Sequence, residues 1–284
     1  MKIRTFYLRL KNKVISGFLS CYYRVGGTVR HLRDNNKKEE IVVSLTSFTP
    51  RLNKLYIALG SIFNQSLQPD KVVLYLGDDV DPDQLPQSLL NYCKYGLEIR
   101  FVENLRSHKK YFYSLREFPE ALVITVDDDL IYHKNMVKKL YSTHLQFPKC
   151  ICAMRTHEII YDDNHMPCKY SAWLKNSSRY DVPSDDLFFT SGAGTLFPPA
   201  CFDDAAYDIE KIKRLCYTAD DVWLNCMCRR RNVKIVNVKL DTYEKQLLKV
   251  MGTQEVALKH HNLYDSGNDS CIHNLLEEFG IGAL

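Results

Sequence analysis

From Ile41 onward the chain alternates short apolar runs with longer stretches in which apolar residues recur at three- and four-residue steps. The runs Ile41 to Leu45, Lys71 to Leu76, Leu97 to Val102 and Ala121 to Val126 have the length and β-branched content of strands. Between them, Leu52 to Gln65, Gln87 to Tyr95 and Tyr111 to Arg116 carry helical spacing, with Leu55, Ala58, Leu59, Ile62 and Phe63 on one face of the first. Strands alternating with helices predict a parallel sheet with helices on its faces. Right-handed crossovers then place the loops 46–51 and 104–110 and the residues after Val126 along one edge, where open α/β sheets bind their ligands.

The second half is less regular. A helix is predicted over Lys134 to Gln146, and strands over Ile151 to Arg155 and Val233 to Val238. A polar excursion, Asp162 to Asp186, carries Tyr170, Trp173 and Tyr180 and reads as substrate-facing. Phe188 to Phe197 is a small-residue turn feeding a short strand, and a last helix is expected over Ile272 to Phe279. Residues 41–284 are thus expected to form one unit: 41–132 the half whose strand ends make the ligand-binding edge, 133–284 an irregular half with its tail.

Residues 1–40 stand apart. Ile3, Phe6, Leu10, Val14 and Phe18 form one helical stripe among Lys2, Arg4, Arg9, Lys11 and Lys13. Ten Lys/Arg against three Asp/Glu give this arm a surplus of seven, so the rest of the chain sits at −3 within a total of +4. A basic amphipathic helix lies on an anionic membrane surface or packs on its own protein, and the sequence favours neither. The expectation is a cytoplasmic protein, with contact of residues 1–38 with the inner face of the cell membrane as one of these two alternatives. The basic N-terminus is followed by no uninterrupted apolar core of a signal peptide. No run approaches the roughly 18–20 apolar residues of a membrane span. The ten cysteines include no CxxC pair and fit free thiols in a reducing compartment. Nucleic acid is not an expected partner.

The chemistry gathers where apolar runs end. Asp127, Asp128 and Asp129 close the fourth strand, and Leu130, Ile131 and Tyr132 follow at once. Three adjacent acids between apolar segments repel one another and need counter-charge. A divalent cation, Mn²⁺ or Mg²⁺, is the simplest, since hard carboxylate oxygens suit it; the alternative is a solvated acidic turn. Asp220 and Asp221 stand where a helix begins. They either cap it or act as a base or stabiliser at a reacting centre. Gly192, Ala193 and Gly194 match neither GxGxxG nor a Walker pattern; their small size permits close backbone approach to a ligand. Thr46, Ser47, Arg51, Arg106, Lys109 and Lys110 offer hydroxyls and cations on the same edge. His260 is a late candidate to complete a metal shell.

Five segments in order, SLTSFTPR, HKKYFYSL, VITVDDDLIY, SGAGTLFPP and TADDVWLN, resemble bacterial GT-A-fold glycosyltransferases of the family 2-like type, which build capsule, O-antigen, lipopolysaccharide and other surface polysaccharides. In outline they are similar to the N-acetylglucosaminyltransferases of heparosan-type capsule synthesis, and TADDVWLN is loosely similar to the late acidic motif of exostosin-like transferases. The resemblance spans about residues 41–265. It implies a nucleotide-diphosphate sugar donor, with UDP the expected nucleotide, and a glycan or lipid-linked oligosaccharide acceptor. It implies that Thr46 to Arg51 and Lys110 hold the nucleotide. Asp127 would face the ribose or metal as part of a DXD motif, Asp129 would bind manganese or magnesium, and Asp220-Asp221 would sit under the anomeric carbon. Ala219-Asp220-Asp221 replaces the Glu-Asp of many inverting members, so both stereochemical outcomes stay open. The QxxRW motif of processive synthases is absent, which implies single addition. Two rival readings are a sugar-phosphate nucleotidyltransferase, which releases pyrophosphate, and a non-catalytic nucleotide-sugar-binding protein.

Overall fold

The computed structural model describes residues 14–15, 17–19, 21–23, 29–32, 37–240, 248–253, 267–280 and 282. Four strands arise from the predicted apolar runs: β1 (Ile41–Thr46), β2 (Lys71–Gly77), β3 (Leu97–Val102) and β4 (Leu122–Val126). They pair in parallel in the order β4-β1-β2-β3. Helix α1 (Thr49–Phe63) links β1 to β2, and α2 (Gln87–Cys93) links β2 to β3. Two one-turn helices, α3 (Lys109–Phe112) and α4 (Ser114–Glu117), stand where the sequence predicts a single helix before β4.

Helix α1 starts three residues before its predicted start at Leu52. Pro50 occupies its first turn, where the missing N–H costs nothing and the fixed φ suits a helix. Consecutive residues of the central strands point to opposite faces, as the period of two requires. Val42 and Val123 enter one apolar cluster, and Val43, Leu45 and Ile124 the other. Both faces of β1 and β4 are therefore buried, which is why these strands read as unbroken apolar runs.

Beyond β4 the chain forms β5 (Leu130–Ile131), α5 (Met136–Gln146) and β6 (Ile151–Ala153). The polar excursion is bracketed by a separate antiparallel pair, β7 (Thr156–Glu158) with β8 (Leu187–Phe189). The small-residue turn feeds β9 (Ala193–Phe197), which runs antiparallel between β4 and β6. Helices α6 (Ile209–Leu215) and α7 (Asp220–Arg230) follow, then β10 (Ile235–Asn237) beside β6. The described residues thus form a mostly parallel seven-stranded sheet, β10-β6-β9-β4-β1-β2-β3, flanked by helices. This is the α/β class that the hydrophobic pattern predicts. The strand predicted to reach Arg155 ends at Ala153, which frees Arg155 to project from the sheet end. A short strand β11 (Leu248–Lys249) pairs antiparallel with β5. The last helix, α8 (Gly267–Phe279), begins five residues before its predicted start, in a polar Gly-Asn-Asp-Ser run that lacks apolar periodicity.

The arm contacts the body through residues off its apolar stripe. Leu19 and Tyr23 pack on Ile57, Ile131 and Val250. Val14 and Phe18, the stripe residues within the described region, are 65% and 69% exposed. Ile3, Phe6 and Leu10 lie outside the described residues. Among those described, no helix is long and apolar enough to cross a membrane.

Candidate active site

Strand register builds the site. Ile41 to Leu45 lie opposite Leu122 to Val126, so Thr46 and Ser47 leave β1 beside Asp127 and Asp128 leaving β4. Val126 pairs with Ala193 across a register shift, which brings Gly192 against Asp127. Together with the start of α7, these ends wall a cleft of about 730 Å³.

The acidic run proves to be three residues with three partners. Asp128 is buried, accepting from Ser47 Oγ at 2.6 Å and Arg51 Nη1 at 2.5 Å. Burial pushes its carboxyl up to about 6, Arg51 opposes this, and the neighbouring Asp129 adds to it. Asp128 therefore anchors Arg51 in the wall of the cleft. Arg51 Nη2 also reaches Asp129 at 3.3 Å, so this guanidinium turns inward to the acids. Asp127 is the most open of the three, its side chain 38% exposed. Its Oδ1 accepts from Lys110 Nζ at 2.8 Å. The counter-charge that the run demands is thus supplied by the chain itself, through Arg51 and Lys110. The divalent cation is not required for that purpose.

Lys110 joins the two acidic motifs. Its ammonium is buried between Asp127 and Asp220 Oδ2, the latter at 3.1 Å. Burial alone would push it down, but Asp127, Asp220 and Asp221 outweigh burial and hold it well above the usual lysine range. Asp220 and Asp221 are not caps. Ala219 is the residue at the helix boundary, and no side chain caps there. Asp220 accepts from Ser191 Oγ at 2.8 Å as well as pairing with Lys110. Burial opposes its charge, yet Lys110, with the Ser191 hydroxyl, holds its carboxyl below the ordinary range. Asp221 accepts from the Ser191 N–H at 2.7 Å. Burial and the charge on Asp220 push its carboxyl up. Two adjacent acids are thereby driven in opposite directions, the division of labour that acid–base sites use.

Several positioning residues are not singled out by the sequence. Tyr132 is buried: its hydroxyl accepts from the Asp127 N–H at 2.6 Å and donates to Gly192 O at 2.6 Å, locking the two loops together. His108 is fully buried between Tyr111 Oη (3.0 Å) and Cys216 O (2.9 Å), tying the 106–108 turn to the approach of α7. Burial pushes it down to about 4, so it stays neutral. Asn225 pins α7 to β8 through the backbone N–H and C=O of Phe189. Tyr132, His108 and Asn225 all fall inside quoted segments, but only the fold reveals their partners.

The small-residue turn faces inward as well. A methyl on Gly192 would overlap the Asp127 carboxylate, so what approaches this backbone closely is a side chain of the protein. Gly194 has φ +100°, which side chains rarely adopt; Ala193 opens β9. Gly192→Ala is expected to displace Asp127 and cost about 1–3 kcal/mol. Thermal melting and a crystal structure check it; an unmoved Asp127 at wild-type stability contradicts it.

On the β1–β3 side the cleft is lined by Thr46, Ser47, Asp79, Asn104, Arg106 and Lys109. Thr46 Oγ1 donates to Tyr75 O at 2.8 Å. Lys109 Nζ donates to Asn104 Oδ1 at 2.7 Å, and burial pushes its ammonium down to about 8. Arg106 stacks over Tyr217 at 4.8 Å, from a backbone with φ +52°. Among the described residues, no group of three or more His, Cys, Asp or Glu is arranged to hold a metal ion. His260 lies outside them. A cation here would have Asp127 and Asp129 as carboxylate ligands and take the rest of its shell from water and ligand oxygens. Mg²⁺ and Mn²⁺ sites at phosphates are commonly built that way, and the donor chemistry fits on those terms.

No protein-family model and no curated protein matches the chain. Among solved structures it is similar to CMP:2-keto-3-deoxy-manno-octonic acid synthetase complexed with CTP, with TM-score 0.41 and 7% identity, over 71% of this chain and 90% of that one. It is also similar to S. aureus TarS 1–349 in complex with UDP, with TM-score 0.45 and 13% identity, over 70% of this chain and 58% of that one. Likeness at this level carries nothing about activity, and the functional reading rests on the site itself.

Proposed function

We propose that the protein is a glycosyltransferase that moves a sugar from a nucleotide-diphosphate donor to a glycan or lipid-linked oligosaccharide acceptor. The observation that carries this reading is the meeting of Asp127 and Asp220 across the buried Lys110, at the carboxyl edge of a parallel sheet. A cleft of about 730 Å³ is within the usual range for a small-molecule site. Arg106 and Lys109 at its β1–β3 end suit a diphosphate. Asp127 and Asp129 would hold Mn²⁺ or Mg²⁺, which neutralises a departing diphosphate when bound.

In this reading Asp221 takes the proton of the acceptor hydroxyl as its oxygen bonds to the anomeric carbon. The bond from that carbon to the diphosphate breaks, and nucleoside diphosphate leaves. Asp220 stays ionised beside Lys110 and stabilises positive charge at the sugar. Nucleotide sugars screened for thermal stabilisation, with and without Mn²⁺, are expected to give one donor with a clear shift. Its turnover is expected to release nucleoside diphosphate. Release of pyrophosphate would instead identify a nucleotidyltransferase, and binding without turnover a non-catalytic binding protein.

The arm reads as a peripheral membrane contact, since Val14 and Phe18 turn outward while Leu19 and Tyr23 hold the body. Val14→Asp with Phe18→Asp is expected to weaken binding to anionic vesicles at least about tenfold and leave the melting temperature unchanged. Equal vesicle binding by the variant would reject the contact.

A further inference from the structure

The cleft has a second basic end, across Asp220-Asp221 from Arg106 and Lys109. Arg155, His157 and Lys175 line it beside Tyr170. Arg155 follows β6, and His157 lies in β7, so this end belongs to the β6 side of the sheet, away from β1–β3.

The cations that line the cleft are managed differently. Arg51 and Lys110 each bridge two carboxylates. Arg155 is held by neutral partners only: its Nε donates to Thr190 Oγ1 at 2.7 Å, and its carbonyl accepts from the Thr190 N–H at 3.2 Å. Lys175 Nζ donates to Tyr170 O at 2.6 Å and lies 3.2 Å from the centre of the Tyr170 ring. Among the described residues, neither cation has a carboxylate within 4 Å, although the charge on Asp269 reaches Lys175. His157 Nδ1 accepts from the Asn176 N–H at 3.2 Å, which leaves the ring proton on Nε2 as a further donor. Burial, with Lys175 and Arg155 adding, pushes this imidazole down to about 4, so it is a neutral donor at pH 7. The Tyr170 hydroxyl feels the charges of both Asp221 and Arg155, which sets this end next to the proposed base.

Two cations without an ion pair within 4 Å among the described residues and a neutral N–H donor line one cleft, and their side chains are fixed by hydrogen bonds to Thr190, Tyr170 and Asn176. We propose that Arg155, Lys175 and His157 form an oxyanion subsite that recognises a negatively charged group, phosphate or carboxylate, on the acceptor. The proposal rests on the transferase reading for the word acceptor, and its ligand class rests on the side chains alone. The acceptor is then an anionic glycan, presented with its charge held at this end and its hydroxyl turned towards Asp221.

The test is equilibrium binding to the full chain at fixed ionic strength, with inorganic phosphate, methyl glucuronide and methyl glucoside as probes. Phosphate or the glucuronide is expected to bind and the neutral glucoside not. Phosphate alone points to a phosphodiester-bearing acceptor, and the glucuronide alone to one carrying uronic acid. Arg155→Gln and Lys175→Gln are each expected to weaken anion binding about tenfold or more, and Arg155→Lys to keep part of it. Arg106→Gln serves as the control for binding at the opposite end. Failure of both anions to bind, equal binding of the glucoside, or loss confined to Arg106→Gln overturns the proposal. Melting temperatures without anion verify that the variants fold, and Arg155→Lys provides a charged variant should Arg155→Gln not. The readout needs no turnover: a protein that never releases nucleoside diphosphate can still pass it, and an active transferase can still fail it.

Discussion

Lys110→Met is expected to lower the melting temperature by on the order of 10 °C and to abolish turnover. The substitution keeps most of the side-chain volume and removes one buried charge. It leaves Asp220, 7% exposed, without the ammonium at 3.1 Å that holds it ionised. Breaking a buried pair by removing one partner costs roughly 3–5 kcal/mol, because the surviving charge stays desolvated. At about 2–4 °C per kcal/mol for a chain of this size, the shift is large enough to separate from a surface effect. The sign with pH follows from the two folded-state shifts. Lys110 is raised, so its contribution is complete below its unfolded value and is lost only as pH rises through the folded one. Asp220 is depressed, so its contribution is complete above its unfolded value and is lost as pH falls. Both are present in full near neutrality. In Lys110→Met the abandoned carboxyl protonates more readily, so the deficit against the parent protein should shrink as pH falls towards 4. Adding Asp220→Asn should recover part of the stability, since it removes the orphaned charge. A melting curve that matches the parent at pH 7, or a deficit that widens on acidification, refutes the bridge.

That bridge also marks the boundary of what the sequence conveys. The runs at 41–45 and 121–126 are legible as strands because β1 and β4 are buried on both faces. The acids are legible because they interrupt apolar segments. Partners are not legible, because pairing depends on strand order. Arg51 meets Asp128 only because β1 and β4 are neighbours in register, and Lys110 meets Asp220 only because α7 folds back over the sheet edge. Asp128 looks equivalent to its neighbours in the chain, yet it is the one buried and bonded to Ser47 and Arg51. The insertion of β9 between β4 and β6 is likewise invisible in the alternation of strands and helices, which anticipates neighbours close in sequence. Arg155, His157 and Lys175 carry no motif. They lie across 20 residues of irregular chain, and the β7–β8 pair gathers them at the cleft.

Asp221→Asn and Asp220→Asn should separate cleanly, although the residues are adjacent. Asp221 is the more open of the pair and is held by one backbone N–H from Ser191, so its carboxylate is available to an acceptor. Its carboxyl is raised by burial and by Asp220. A group raised in the folded state costs stability once the pH passes its unfolded value, because folding must keep it charged against its surroundings. Removing that charge should therefore raise the melting temperature at pH 7 slightly, while turnover falls by about 10²–10⁴, the range for a lost general base. Asp220→Asn should do the reverse to stability, since it deprives the buried Lys110 of a partner at 3.1 Å. If Asp221 is the base, the parent protein should show an acid limb in turnover above the ordinary carboxylate range, because Asp221 would have to lose its proton to accept another. Its activity falls as pH drops through that raised value, and the limb should vanish in the residual activity of Asp221→Asn. An acid limb that survives in Asp221→Asn and is lost in Asp220→Asn would exchange the two roles. Equal losses of turnover with equal losses of stability would reduce both acids to scaffolding around Lys110.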